Sequence, residues 1–297
     1  MSSTQAPNVF IRETLAQYTP RAATYDSANG GWHVELGQDY VAWLPPPKGG
    51  AVLDLACGTG LVSLPYAEAV GPGGVVVGVD VTEAMLNEAK AKPLPKDSGE
   101  VKWVLGDITD LASIDTVQEV VKDRGGFDVI SCCSAFVLLE SREKAVKDWI
   151  PLLKPGTGKL IIDMPTEDHS LQYLLNYPLR QALGKTMAFN QNWVKDIHSL
   201  EKIFQDAGLE VEESFRTRSY IPEKWYTADQ ATEVFEEKTR GSGLWQTLIK
   251  EWTIDQGEGA IEKLKQVWST IWKENLNAEG KLWDGHKLYV TIGRRRE

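Results

Sequence analysis

Between Gly50 and Asp163 the chain reads as five short apolar runs, AVLDLA, GVVVGVD, VKWVL, FDVISCC and KLIID, with stretches of helical character between them. Runs of this length, rich in Val and Ile, are the mark of strands buried on both faces. Helices between consecutive buried strands point to a parallel sheet covered on each side. Two later runs, LEVEESFRTRSY and HKLYVTIGRRR, also read as strands. The expectation is a doubly wound, mostly parallel seven-stranded α/β sheet with helices on both faces.

Local signals place the connecting helices. The first is expected over GLVSLPYAEAV, with Pro65 delaying or bending its start. Thr82 stands where it can N-cap EAMLNEAKAK, and Gly208 where it can end HSLEKIFQDAG. The organisation is then an N-terminal helical segment over residues 1–48, an α/β core over 49–220, a helical insertion over 221–285, and a last core strand with a basic tail over 286–297. Six of the 11 tryptophans (Trp225, Trp245, Trp252, Trp268, Trp272 and Trp283) fall inside the insertion. Most are expected to pack it onto the sheet domain, leaving a few to line a flat apolar pocket or face a cation.

A net charge of −10 argues against a nucleic-acid footprint, which needs clustered Lys and Arg. The one basic run, Arg294-Arg295-Arg296, reads as a solvated tail. Cys57, Cys132 and Cys133 form no CxxC pair, so reduced thiols are expected. No secretory pattern is present in MSSTQAPNVFIRETLAQ and no apolar run reaches membrane-spanning length, which predicts a cytoplasmic protein without a membrane partner.

The stretch VLDLACGTG, Val52 to Gly60, ends the first strand in a glycine-rich turn. In a doubly wound sheet that is where ligands bind, and Gly58 and Gly60 let the backbone approach one closely. Twenty residues past Gly60, Asp80 closes the second strand, where a carboxylate can accept from both hydroxyls of a ribose. The ligand is therefore read as a nucleoside derivative. Asp54 discriminates among these, because a diphosphate placed about 5 Å from it would be repelled by about 3 kcal/mol per charge pair at an effective dielectric near 20. The third glycine of the dinucleotide fingerprint is also replaced, by Ser63. S-adenosylmethionine has no phosphate and carries a sulfonium and an ammonium, which Asp54 attracts.

Taken together, VLDLACGTG, VVVGVDVTEAMLNEAK, VLGDI, FDVISCCSAF and LLKPGTGKLIIDMP resemble, in order and spacing, the motifs of class I S-adenosylmethionine-dependent methyltransferases. The resemblance covers about Gly49 to Asp163 and is nearest to the small-molecule branch with the ubiquinone-biosynthesis-like enzymes. The helical insertion also resembles that of fungal secondary-metabolite methyltransferases. The resemblance implies S-adenosylmethionine as cofactor, with S-adenosylhomocysteine as product, and residues 1–48 and 221–285 as lids. Asp54 would hold the methionine ammonium, directly or through water, with Ala56, Gly58 and Gly60 lining the loop. Asp80 would take the ribose, Val81 and Met85 would join the binding set, and Asp107 with the Ile108 backbone would read the adenine edge. Cys132 and Cys133 would pass the methionine part and Tyr25 would close over it. Asp107 also reads as a turn cap and Met85 as a core residue.

Two departures stand out. Ala56 occupies the first position of the usual glycine series, and Val137 and Leu138 stand where many relatives carry His or Glu. Any base for methyl transfer must then come from elsewhere. Of four histidines, His198 and His286 read as structural, His169 lies on a loop at the ligand end, and His33 in the N-terminal lid is the catalytic candidate. No metal is expected. The implied activity is transfer of a methyl group to O, N or S of a small hydrophobic metabolite in secondary metabolism, with that acceptor as the partner and no nucleic acid. A protein methyltransferase and a non-methylating S-adenosylmethionine-binding member of the fold remain as alternatives, and a nicotinamide oxidoreductase is disfavoured by the loop acid.

Overall fold

A computed structural model of the protein describes residues 9–167, 170–174, 178–184, 193–240, 249–250, 252–254 and 256–297. Its contacts divide the chain into two units. The first comprises Met1–Thr166, Gln191–Tyr220 and Lys287–Glu297, and the second Glu167–Asn190 and Ile221–His286.

The first unit is built on a seven-stranded sheet of β1 (Ala51–Leu55), β2 (Val75–Asp80), β3 (Glu100–Leu105), β4 (Val129–Cys132), β5 (Lys159–Pro165), β6 (Leu209–Arg216) and β9 (Leu288–Arg295). The order is β3-β2-β1-β4-β5-β9-β6. The first five strands pair in parallel, and β9 runs antiparallel between β5 and β6. β1, β2 and β4 are buried along their whole lengths, as strands covered on both faces must be. The helices of this unit are α1 (Val9–Tyr18), α2 (Trp32–Trp43), α3 (Ser63–Val70), α4 (Glu83–Ala91), α5 (Asp115–Arg124), α6 (Arg142–Trp149) and, after two short turns given below, α9 (His198–Asp206). A 3₁₀ segment, Thr19–Gly31, joins α1 to α2. Leu36 and Tyr40 of α2 and Tyr66 and Ala67 of α3 pack with Val52, Val76, Val129 and Ile161 of the sheet in one cluster.

Two local expectations are corrected. Thr82 stands at the N-cap of α4, yet its hydroxyl makes no cap bond. Its N–H instead donates to the Asp80 carboxylate at 2.7 Å. Arg294 and Arg295 are not part of a solvated tail, because β9 runs on through Arg295, and of the three arginines Arg296 alone lies exposed beyond the strand. Arg294 pairs with Glu210 at 2.7 Å and Glu212 at 3.0 Å, and Arg295 donates to the Pro151 carbonyl at 2.9 Å. Their neighbours on the antiparallel strand and the α6–β5 turn supply acceptors that the linear sequence does not display.

The second unit contains the helical turns α7 (Leu171–Leu174) and α8 (Arg180–Ala182), with α10 (Ala231–Arg240) and α11 (Ala260–Glu274). It also holds a strand pair absent from the sequence reading, β7 (Lys224–Thr227) antiparallel to β8 (Lys281–Asp284). Trp268 and Trp272 are fully buried in this unit's own core rather than spent on docking. Their indole N–H groups donate to the carbonyls of Ala231 at 2.8 Å and Thr227 at 3.2 Å, which satisfies each ring's single polar atom. Trp225 is exposed, and Trp245 lies outside the described residues. No helix among the described residues is long and apolar enough to cross a membrane.

Candidate active site

The strand order reverses between β1 and β4, and the carboxyl ends of the parallel strands converge there on two cavities of the first unit. The larger has a volume of about 290 Å³ and the smaller about 40 Å³. Both are lined by Tyr25, Ala56, Gly58, Cys133 and Ser134. Asp80, Val81, Met85, Asp107 and Ile108 line only the larger, and Asp54 and His33 only the smaller.

Backbone conformation explains the loop. Ala56 (φ 54°) and Gly58 (φ 54°) both take left-handed geometry, so Ala56 is an alanine held against its preference. A Cβ added at Gly58 would meet no atom within 4 Å, because it would point into open cavity. Gly60 differs. It lines neither cavity, and a Cβ there would lie 2.6 Å from Cη2 of Trp103. Its glycine serves packing against β3, not the expected lining of the cradle.

Asp54 is 1% exposed and accepts from the hydroxyls of Ser63 at 2.5 Å and Ser131 at 2.8 Å. Burial pushes its carboxyl up to about 6, against the lowering effect of both serines. Such an acid gains most from a cationic ligand, which would restore its charged form. Asp80 accepts from the N–H groups of Gly58 at 2.8 Å and Thr82 at 2.7 Å, and burial raises its carboxyl also. These bonds tie the glycine loop to the end of β2, where Asp80 lines the larger cavity. Asp107 forms the anticipated turn and also lines the larger cavity. One oxygen accepts from the N–H and hydroxyl of Thr109, each at 2.8 Å, leaving Oδ2 outside that turn. Met85 is likewise both core, at 2% exposure, and lining.

The N-terminal segment reaches this site. The Asp26 carboxylate accepts from the Thr59 hydroxyl at 2.5 Å and pairs with Lys92 at 2.5 Å, while Lys92 donates to the Thr59 carbonyl at 2.7 Å. Tyr25, beside this clamp, has a phenol held well above its ordinary range by burial, so it is a donor rather than a base. His33, on the first turn of α2, stacks on Trp32 at 3.7 Å and lies 4.6 Å from the Tyr25 ring. Cys132 is fully buried and lines neither cavity, whereas Cys133 lines both. His198 is exposed and bonds Glu201 at 2.8 Å, and burial lowers His286 to about 4. His169 lies outside the described residues.

Residues 52–156 match a family model described as a methyltransferase domain. This stretch belongs to a methyltransferase domain. The methyltransferase domain shares 30% identity over 159 aligned residues with nocamycin O-methyltransferase of Saccharothrix syringae, covering 54% of this chain and 53% of that protein. Identity to a ubiquinone/menaquinone biosynthesis C-methyltransferase of Ectopseudomonas mendocina is 32% over 147 residues, covering 48% of this chain and 53% of that one. The chain thus spans about half the length of these curated relatives. In fold it is similar to phosphoethanolamine N-methyltransferase 2 of Haemonchus contortus, with a TM-score of 0.52 at 18% identity, covering 98% of this chain and 61% of that chain.

Sequence reasoning missed Ser63, Ser131, Thr59 and Asp163. Only Asp163 carried a signal: a carboxylate in the middle of the apolar run LIIDMP has to be bonded if it is buried.

Proposed function

We propose that the protein binds S-adenosylmethionine across the two cavities and transfers its methyl group to a small apolar metabolite. One observation carries this reading: a buried carboxylate lines each of the adjoining cavities, Asp54 the smaller and Asp80 the larger, with the half-buried Asp107 also lining the larger. A nucleoside with a cationic amino-acid tail matches that arrangement, and a diphosphate bridge does not. In this reading Asp54 holds the ammonium, Asp80 the ribose hydroxyls, and Asp107 with the Ile108 backbone the adenine edge. The five shared residues then surround the sulfur. The bound sulfonium supplies an electrophilic methyl group.

The protein's own contribution is positioning and exclusion of water. Holding acceptor and methyl carbon in line supplies much of the acceleration in such displacements. Tyr25 closes the junction from the N-terminal segment, and His33 is the titratable side chain that the segment brings to the small cavity. The N-terminal segment that carries Tyr25 acts as a lid. Names among the relatives support a small-molecule acceptor in secondary metabolism, with oxygen or carbon as the atom methylated.

Calorimetric titration with S-adenosylhomocysteine, followed by incubation of labelled S-adenosylmethionine with a panel of small phenols, thiols and amines, tests the reading. Micromolar binding and a labelled product are expected. Preferential binding of NADP, FAD or ATP would sink it.

A further inference from the structure

Among the described residues, only Ala56, Asp97 and Ser134 have positive φ without being glycine. Ala56 and Ser134 both line the two cavities. Ser134 follows β4 at φ 53°, a conformation that costs free energy for any residue with a Cβ. Something must hold it there. The Ser134 N–H donates at 2.9 Å to Oδ2 of Asp163, on the neighbouring strand β5. That oxygen also accepts from the hydroxyl of Tyr40, which lies within 3.1 Å of the Cys132 carbonyl as well. Asp163 is 1% exposed, and its Oδ1 has no hydrogen-bond partner among the described residues. A half-satisfied buried carboxylate is a poor choice for stability alone.

We propose that Asp163 is a positioning residue: it holds the Ser134 peptide in its left-handed turn and so fixes Cys133 and Ser134 at the junction of the two cavities. The inference rests on the methyl-donor reading above, in which that junction surrounds the sulfur. Asp163 lines neither cavity and acts through the turn.

The test compares two ligands. Adenosine needs only the large cavity, whereas S-adenosylhomocysteine must cross the junction. Asp163→Asn keeps the shape and one acceptor but loses the charge that strengthens the bond, so its affinity for S-adenosylhomocysteine should fall about fivefold. Asp163→Ala removes the acceptor and should lose more than tenfold, by the order of a buried donor left unpaired. Adenosine affinity should stay within about twofold in both, since Asp80 and Asp107, which hold its ribose and base in this reading, make no contact with Asp163. Glycine adopts the turn unaided, so Ser134→Gly placed in the Asp163→Asn background should recover most of the loss. Equal weakening of both ligands, or no recovery with Ser134→Gly, would make Asp163 a structural residue only and overturn the proposal. Unchanged S-adenosylhomocysteine binding in Asp163→Asn and Asp163→Ala would overturn it too. Should Asp163→Ala not fold, the Asp163→Asn and Ser134→Gly comparison decides alone. Wild-type protein that binds adenosine but not S-adenosylhomocysteine would instead overturn the methyl-donor reading.

Discussion

The indole N–H of Trp149 donates to the carbonyl oxygen of Ile108 at 2.8 Å, although 41 residues separate them. Trp149 is fully buried on α6, and Ile108 belongs to the edge that reads the nucleoside base in the proposed complex. The hydrogen bond fixes the Ile108 peptide plane, and with it the direction in which neighbouring backbone groups face the large cavity.

Trp149→Phe keeps most of the ring volume and deletes that donor. A buried carbonyl left without its partner costs about 1–3 kcal/mol. Thermal unfolding should report this loss, and calorimetry should show adenosine and S-adenosylhomocysteine weakened together. Loss confined to S-adenosylhomocysteine would place the effect elsewhere.

Ligand affinity should depend on pH through Asp54. A cationic tail binds the charged carboxylate, whose pKa in the free protein is about 6. Affinity for S-adenosylhomocysteine should therefore fall about tenfold between pH 7.5 and pH 5, and Asp54→Asn should weaken binding and flatten the dependence. Stability runs the other way. A carboxyl raised on folding favours the folded state when protonated, so its contribution is complete below about pH 4 and lost as the pH climbs through 6. Without ligand, Asp54→Asn should stabilise the protein at pH 7.5 by up to about 3 kcal/mol, and by less at pH 5.

Two glycines of one loop should respond differently to alanine. At Gly60 the added methyl meets the Trp103 ring at 2.6 Å, so Gly60→Ala should destabilise the fold by about 1–3 kcal/mol. At Gly58 the methyl meets no atom, so Gly58→Ala should carry only the left-handed backbone strain of φ 54°, about 1–2 kcal/mol, and in addition reduce cofactor affinity. Differential scanning calorimetry beside ligand titration separates the two outcomes.

The clamp of Asp26, Thr59 and Lys92 joins the N-terminal segment to the glycine loop. Because the pair is partly exposed, its contribution is about 1 kcal/mol. Lys92→Ala should therefore speed S-adenosylhomocysteine release roughly fivefold in stopped-flow displacement, with a smaller change in the association rate. An unaltered dissociation rate would show that the segment does not gate the ligand.

Much of the fold was legible because the buried strands are apolar runs punctuated by glycine and caps, signals that need no knowledge of distant residues. The same local order placed Asp54, Gly58, Asp80 and Asp107 at successive strand ends. Other features depended on partners far along the chain. Asp54 is bonded by Ser131, Asp26 by Thr59, and Asp163 by Tyr40 and Ser134, across separations that no periodicity records. The β7–β8 pair escaped notice because two strands of four residues, 54 positions apart at their closest, carry no shared local pattern.

By itself the sequence determined that a buried parallel sheet would form and that acidic groups would stand at its carboxyl edge, because burial and strand periodicity act over a few residues. Tertiary structure alone decided which glycine faces open cavity and which faces Trp103, and which carboxylates are raised by burial. It also decided that Arg294 and Arg295 lie in a strand. Those outcomes depend on neighbours brought together only by folding, where distance and exclusion of water set the energy of every polar contact.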